Sequence, residues 1–455
     1  MLKINDTWMK DGFITSKGKK KFSFPDKEIY PGFTDSHTHL IQLGLKKSNL
    51  GLSGVKSKKE LFKKLSIWIK NKSSKDIVIA EDWDESNWIE KEFPTKEELN
   101  RISRNKPIIL RRVCGHIAIA NDAALSRIPR GWEQINYSTG ILKEVVVLKL
   151  NEIFPPSNQK LREAILLAQD ELIELGIVSV HDMMIPDYFR AYQSLEREGK
   201  LKLFIYAFIT EDYLDEIKEL ISSKKVKLAG IKIFMDGSIG ARTAALQDYS
   251  YNSNGKGLLL KSKEQVQKLI EFANKNGYQL AFHAIGDLAI QTVLSGMEKN
   301  PKENPRRHRI EHFELARDDQ IKEAVQKRII LSMQPNFLKW SKPGGLYEQA
   351  LGRNYKRNNR FASILDEGGI ITFGSDGMPY GPLNGLEHST SAPFPSQKID
   401  RKQAIKLYTE GGAFASFREK ELRRLEKGGK GDLVVVDKDS IYITVINNKI
   451  EYLRS

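Results

Sequence analysis

The sequence predicts an α/β chain organised as one closed barrel of eight parallel strands with helices between them. Three observations predict it. From Ser157 onward, short β-prone runs alternate with helix-length stretches, the rhythm of βα units on a parallel sheet. Counting the run that contains His37, there are eight: GFTDSHTH, IVSVHD, LFIYAFI, IKIFMD, QLAFHAI, HRIEHF, IILSMQP and IITFGSD. Eight is the number that closes a (β/α)8 barrel. Polar residues of metal-ligand type recur where these runs end, and a barrel keeps its chemistry at the C-terminal ends of its strands. A doubly wound sheet is the structural competitor, and no G-x-G-x-x-G opens one here.

Taken in order, residues 1–30 are short, polar and turn-rich, with strand-like runs at Trp8 to Ile14 and Lys21 to Phe24. Pro31-Gly32 breaks the chain before the first barrel strand. Residues 43–155 then form a long insertion with a helical pattern at Lys58 to Lys70, a strand-like IVIA, a tryptophan-rich EDWDESNW and the strand PIILRRV. Helices are expected near 160–175, 188–198, 213–223, 263–276, 288–299, 317–327 and 358–367, each leading into the next barrel strand. A further helix near 401–417 precedes GGKGDLVVVDKDS and IYITVINNKIEY, which read as strands with turns. The expected domains are a TIM barrel over 31–420, its insertion over 43–155, and a small β-sandwich-like satellite from 1–30 and 421–455.

Composition excludes several classes. No apolar run approaches the ~18 residues of a membrane span, and the mean hydropathy is −0.44. The N-terminus lacks the apolar core of a signal peptide, and the single cysteine, Cys114, permits no intrachain disulfide. A cytoplasmic protein is the expectation. The net charge of +15 raises the question of nucleic acid, but the basic residues are scattered through loops and solvated helix faces. No nucleic-acid or membrane partner is expected; a small-molecule substrate is.

The strand ends carry the chemistry. His37 and His39, two apart on a strand, aim two imidazoles at one spot. Lys232 interrupts an otherwise apolar strand; His283, His312 and Asp376 end the fifth, sixth and eighth strands. Singly, each has a plain reading: Lys232 can pair with an acid, the histidines can be satisfied core residues, and Asp376 can form a turn. Jointly, six such residues at the ends of five strands point to one metal centre.

The order H-x-H, Lys, His, His, Asp on strands one, four, five, six and eight resembles the amidohydrolase superfamily. PGFTDSHTHL, GHIAIANDAAL, STGILKE, IKIFMDGSIGARTAAL, FHAIGDLAI, HRIEHFEL, FGSDGMP and GKGDLVVVD resemble its branch of N-substituted formamide deformylases and metal-dependent hydrolases. The resemblance implies that His37, His39 and Asp376 hold one divalent metal and that His283 and His312 hold a second. It implies that Lys232 bridges both as a CO2-derived carbamate. Zinc suits these ligands, as do manganese, iron and cobalt, with one or two ions per chain. The implied reaction is hydrolysis of a non-peptide C–N bond, of amide or formamide type, by a metal-bridging hydroxide, with Asp376 as the catalytic proton carrier.

His116, Trp83, Asp84 and Arg242 are candidate substrate contacts. Asp287 is expected to cap the helix that follows it. A one-metal deaminase of the same superfamily resembles this layout but has a glutamate three residues after the fifth-strand histidine, where this chain has Gly286. A lactonase or phosphotriesterase could use the same metals, and a catalytically inactive binding protein would keep the fold while losing ligands. The segment before His37 is shorter than is usual in the family, which leaves a homo-oligomer open.

Overall fold

The computed structural model describes residues 2–4, 7–10, 13–15, 20–22, 24, 26–70, 77–132, 134–143, 145–253, 255–422, 425 and 431–454. Gly428 to Lys430 of the expected glycine-rich turn lie outside the described residues.

Eight parallel strands follow one another around a barrel: β1 (Phe33–Thr38), β2 (Ile177–Met184), β3 (Phe204–Thr210), β4 (Val226–Phe234), β5 (Gln279–Ala284), β6 (Arg309–His312), β7 (Ile330–Met333) and β8 (Ile370–Phe373). Each is hydrogen-bonded to the next in sequence. All residues of β1 and β2 are buried, as parallel strands covered on both faces must be. The barrel closes just beyond the regular ladder. Ser36 Oγ and Thr372 Oγ1 lie 2.5 Å apart, and the Asp376 amide donates to the His37 carbonyl at 2.8 Å. Gly374 permits this approach, since a Cβ there would stand 2.3 Å from the His37 nitrogen.

The helices form for local reasons. Lys263–Asn276 starts on a capping box between Ser262 and Gln265, buries Val266, Ile270 and Ala273 along one stripe, and ends at Gly277 with φ 81°. The helix expected near 213–223 is replaced by two 3-10 turns, Glu211–Tyr213 and Glu216–Glu219. Only Ile217 and Leu220 are buried there, too few apolar positions for an amphipathic stripe.

The chain divides into two compact units, one of Met1–Leu40 with Gln169–Ser455, the other Ile41–Ala168. The first contains the barrel and a four-stranded antiparallel sheet in which Glu28–Pro31 pairs with Leu433–Asp437, joining the two chain ends. The earlier N-terminal strands, from Leu2 to Phe22, pair among themselves in a separate sheet. The second unit has its own six-stranded sheet and a core that includes Leu61, Leu65, Trp83, Trp88 and Leu99. Among the described residues no helix is long and apolar enough to cross a membrane.

Candidate active site

β1 delivers His37 and, one residue past its end, His39; the turn after β8 delivers Asp376. Asp376 Oδ1 lies 3.1 Å from His39 Nε2 and 3.6 Å from His37 Nε2. Two ligands each about 2.1 Å from one ion cannot be more than about 4.2 Å apart, so both separations suit a shared cation. The other two histidines stand alongside. Ring centroids are 4.9 Å apart for His37 and His312, and 4.5 Å for His283 and His312. The structure thus gathers four of the chain's eight histidines at one end of the barrel.

Three of the four rings are held by an acceptor on one nitrogen, which fixes the tautomer and leaves the other nitrogen's lone pair free. His37 donates from Nδ1 to Glu311 at 2.5 Å, His312 from Nδ1 to Gln334 Oε1 at 2.7 Å, and His283 from Nε2 to the Gly237 carbonyl at 3.0 Å. This is the outer-shell arrangement that raises imidazole basicity toward a metal. Burial, together with the Lys232 charge, pulls His37 down to about 4 and His283 to about 3; burial and the neighbouring imidazoles pull His312 well below the usual range. These three rings are therefore neutral near pH 7, the form that ligates. Burial pushes the Asp376 carboxyl up, but His37 and His39 outweigh it and hold it far below the usual carboxylate range. Burial also pulls His39 down, yet its hydrogen bond to Asp376 leaves it raised.

Lys232 is buried on β4, in register with Ala281 of β5 and one pleat below the Phe234–His283 pair. Among the described residues neither a hydrogen bond nor an ion pair reaches its ammonium. Burial lowers its pKa to about 8, and Glu311 and Asp376 offset this only in part. A buried cation facing imidazoles is costly. An anionic group on Lys232 together with cations would relieve that cost, so the donor set fits a metal centre.

Backbone strain accompanies the site. His312 (φ 73°), Phe313 (φ 49°) and Asp376 (φ 51°) are non-glycine residues in the left-handed region. Strict alternation along β6 would put His312 on the face of Ile310, opposite Glu311. The left-handed turn re-aims the ring toward His37 and His283.

Two residues that the sequence reading did not single out, Arg309 and Glu311, complete the centre. Arg309 and Glu311, both fully buried, form an ion pair, and Arg309 also donates to His181 Nδ1 at 2.9 Å and Ser332 Oγ at 2.7 Å. The alternating charges of HRIEH, inside a strand that must be buried, were the available signal. Asp236 accepts amides from Ala245, Ile285 and Gly286, pinning the loop after β4 to the end of β5. Asp287 does not cap its own helix: Gly286 is the N-cap, and the Asp287 carboxylate accepts the amides of Gln247 and Asp248.

The candidate substrate contacts separate. Arg242 is exposed in the turn after β4, in the same unit as the four clustered histidines. The other three lie in the Ile41–Ala168 unit. Trp83 is 0 % exposed, donates its indole N–H to the Leu110 carbonyl and packs on Trp88 and Phe93, so it has no free face. Asp84 caps the turn Glu85–Asn87, and His116 is exposed in the bend before Ile117–Ala120.

The chain matches known proteins over nearly its whole length. The sequence model of the amidohydrolase family matches residues 26–449. A Bacillus subtilis (strain 168) relative named as the amidohydrolase YtcJ is 28% identical, covering 98% of this chain and 96% of its own. The N-substituted formamide deformylase of Arthrobacter pascens is 24% identical, covering 91% of this chain and 84% of its own. The crystal structure of an uncharacterized metal-dependent hydrolase from Pyrococcus furiosus superposes with a TM-score of 0.83 at 27% identity, over 96% of this chain and 97% of that one. With its family match running from the satellite sheet through all eight barrel strands, the chain belongs to the amidohydrolase family of hydrolases.

Proposed function

We propose that the chain hydrolyses an amide-type, non-peptide C–N bond in a small molecule. On this reading His37, His39 and Asp376 would hold one divalent metal, His283 and His312 would hold a second, and Lys232, as a carbamate, would supply an anionic ligand to the pair. The observation that carries it is one carboxylate oxygen within 3.6 Å of two imidazole nitrogens, with two more neutral imidazoles beside them, tilted and edge-on. Zinc is the metal of choice for this nitrogen and oxygen set.

Divalent cations bound there supply Lewis-acid polarisation of a carbonyl and bring the pKa of water toward neutrality. The chain's own groups do the rest. Asp376, whose carboxylate oxygen lies 3.1 Å and 3.6 Å from two imidazole nitrogens, would take the proton from the attacking water and deliver it to the leaving nitrogen. Lys232, lowered to about 8, reaches the neutral amine that adds to CO2; an N–C bond forms, one proton leaves, and an anionic ligand replaces a cation. Phe337, parallel to His312 at 6.1 Å, fixes that ring's plane. Arg242 is the substrate contact in the ligands' own unit. The single cysteine supports a cytoplasmic location.

The test is metal analysis joined to hydrolysis of a panel of N-acyl, N-formyl, cyclic-amide and lactone compounds. The expected result is up to two divalent ions per chain and turnover of an amide. His37→Asn and Lys232→Ala should abolish turnover while circular dichroism stays native. Full activity in either variant, or turnover of the lactones alone, would overturn the assignment.

A further inference from the structure

The exposed apolar side chains of the barrel unit are not scattered. Among its described residues eight large hydrophobic side chains are exposed, and five of them stand at or beyond the C-terminal ends of the barrel strands: Phe234, the last residue of β4, and Leu258, Leu260, Leu346 and Met378 on the segments that follow strands. Scattered single hydrophobics are normal on a protein surface, but a contiguous group around a polar site marks a binding face. Phe234 and Met378 adjoin the centre, and Leu258, Leu260 and Leu346 lie along the loop after β4. Phe234, two residues after Lys232 and so on the same face of β4, has its ring 5.6 Å from His283. Met378 follows Asp376 by two residues. Leu260 donates its amide to the Met235 carbonyl at 2.8 Å, and Leu258 to Thr243 at 3.1 Å, which lays that segment along the loop after β4. Leu346 Cδ2 stands 3.3 Å from where a Cβ on Gly240 would be, on the same loop.

This collar is braced rather than loose. The Phe234 amide donates to Glu211 at 3.1 Å, and Glu211 in turn pairs with Lys261 at 2.7 Å. Lys339 is turned onto the Met378 carbonyl at 3.2 Å and the Trp340 ring at 4.4 Å. An apolar rim held in place by backbone hydrogen bonds gains from a ligand that covers it and loses little ordering entropy on binding.

We infer that the site takes a substrate with an apolar chain next to the bond it cleaves, seated on the collar of Phe234, Leu258, Leu260, Leu346 and Met378. The inference rests on the amide-hydrolase reading for the scissile bond, but the collar can be tested by binding. Two product-like series, linear carboxylates from acetate to octanoate and linear amines from methylamine to octylamine, are titrated into the metal-loaded chain by calorimetry. The carboxylates probe an acyl chain and the amines a substituent on nitrogen. At least one series should gain about fourfold in affinity per methylene, with a negative heat-capacity change. The double variant Leu258→Ser with Leu260→Ser, on exposed positions that do not load the fold, should cut that gain below about twofold. Flat affinity in both series, or a gain untouched by the double variant, overturns the inference. Chain-length dependence without turnover of any amide sinks the reaction and keeps the collar; amide turnover with flat affinities does the reverse.

Discussion

Glu311→Gln should be among the most damaging conservative changes in the chain, and the structure says why. Arg309 and Glu311 are both 0 % exposed, and Arg309 Nε meets Glu311 Oε1 at 2.5 Å while Nη2 meets Oε2 at 2.8 Å. The same carboxylate accepts the His37 Nδ1 proton. A glutamine keeps the shape and one acceptor but removes the charge, which leaves the guanidinium buried without a counterion. Breaking a buried pair by removing one partner costs about 3–5 kcal/mol. His37 also loses the acceptor that fixes its tautomer, and loss of such a partner costs about 10- to 100-fold in metal affinity. The assay is urea unfolding of the metal-free chain, wild type against variant, followed by metal titration of each. The double variant Arg309→Met with Glu311→Gln should recover much of the stability, because the unpaired charge is gone, while the metal affinity stays low. A loss under about 1 kcal/mol in the single variant, or an equally large loss in the double, would refute the account of this network.

Three further outcomes are expected. Burial pushes the Asp182 carboxyl up to about 6, against hydrogen bonds from Tyr192 at 2.6 Å and the Leu40 amide at 3.1 Å. The folded state therefore keeps a proton that the unfolded chain releases near pH 4. This group's stabilisation is full below about pH 4 and is lost as the pH rises through about 6. Asp182→Asn should thus gain about 3 kcal/mol on the wild type between pH 4 and pH 7, read by urea unfolding at each pH. Gly374→Ala puts a Cβ 2.3 Å from the His37 nitrogen; overpacking of this kind costs about 1–3 kcal/mol, and a lower melting temperature with weakened metal binding should report it. Chelation should lower the melting temperature, since ligand at about 1,000 times its Kd adds about 4 kcal/mol, and zinc should restore it.

The residues gathered at the barrel's end were legible because strand periodicity and burial act together. A lysine in IKIFMD and a histidine in QLAFHA sit where an apolar pattern demands apolar residues, so each stands out against its own strand. The eight strand runs were legible for the same reason: buried parallel strands are short, continuous and β-branched. What supports the ligands was harder to see. Glu311 pairs with Arg309 along β6 but with His37 across 274 residues, and no local pattern encodes that contact. Gln334 was hidden likewise, since its partner lies on the neighbouring strand. The region 213–223 misled because charge spacing there imitates a helix while only two positions find a core. Trp83 misled in the opposite way. Its polar neighbours suggest a surface, yet its indole fills the core of a unit whose sheet order, with Leu50–Gly51 at one edge and Ile135–Asn136 at the other, no periodicity announces. His312 shows the limit most clearly. Alternation assigns it to the wrong face, and a left-handed backbone at two consecutive non-glycine residues turns it toward His37 and His283. A turn of that kind is held by tertiary contacts, among them the Phe313 amide on the Ala284 carbonyl, so it exists only once the barrel has closed around it.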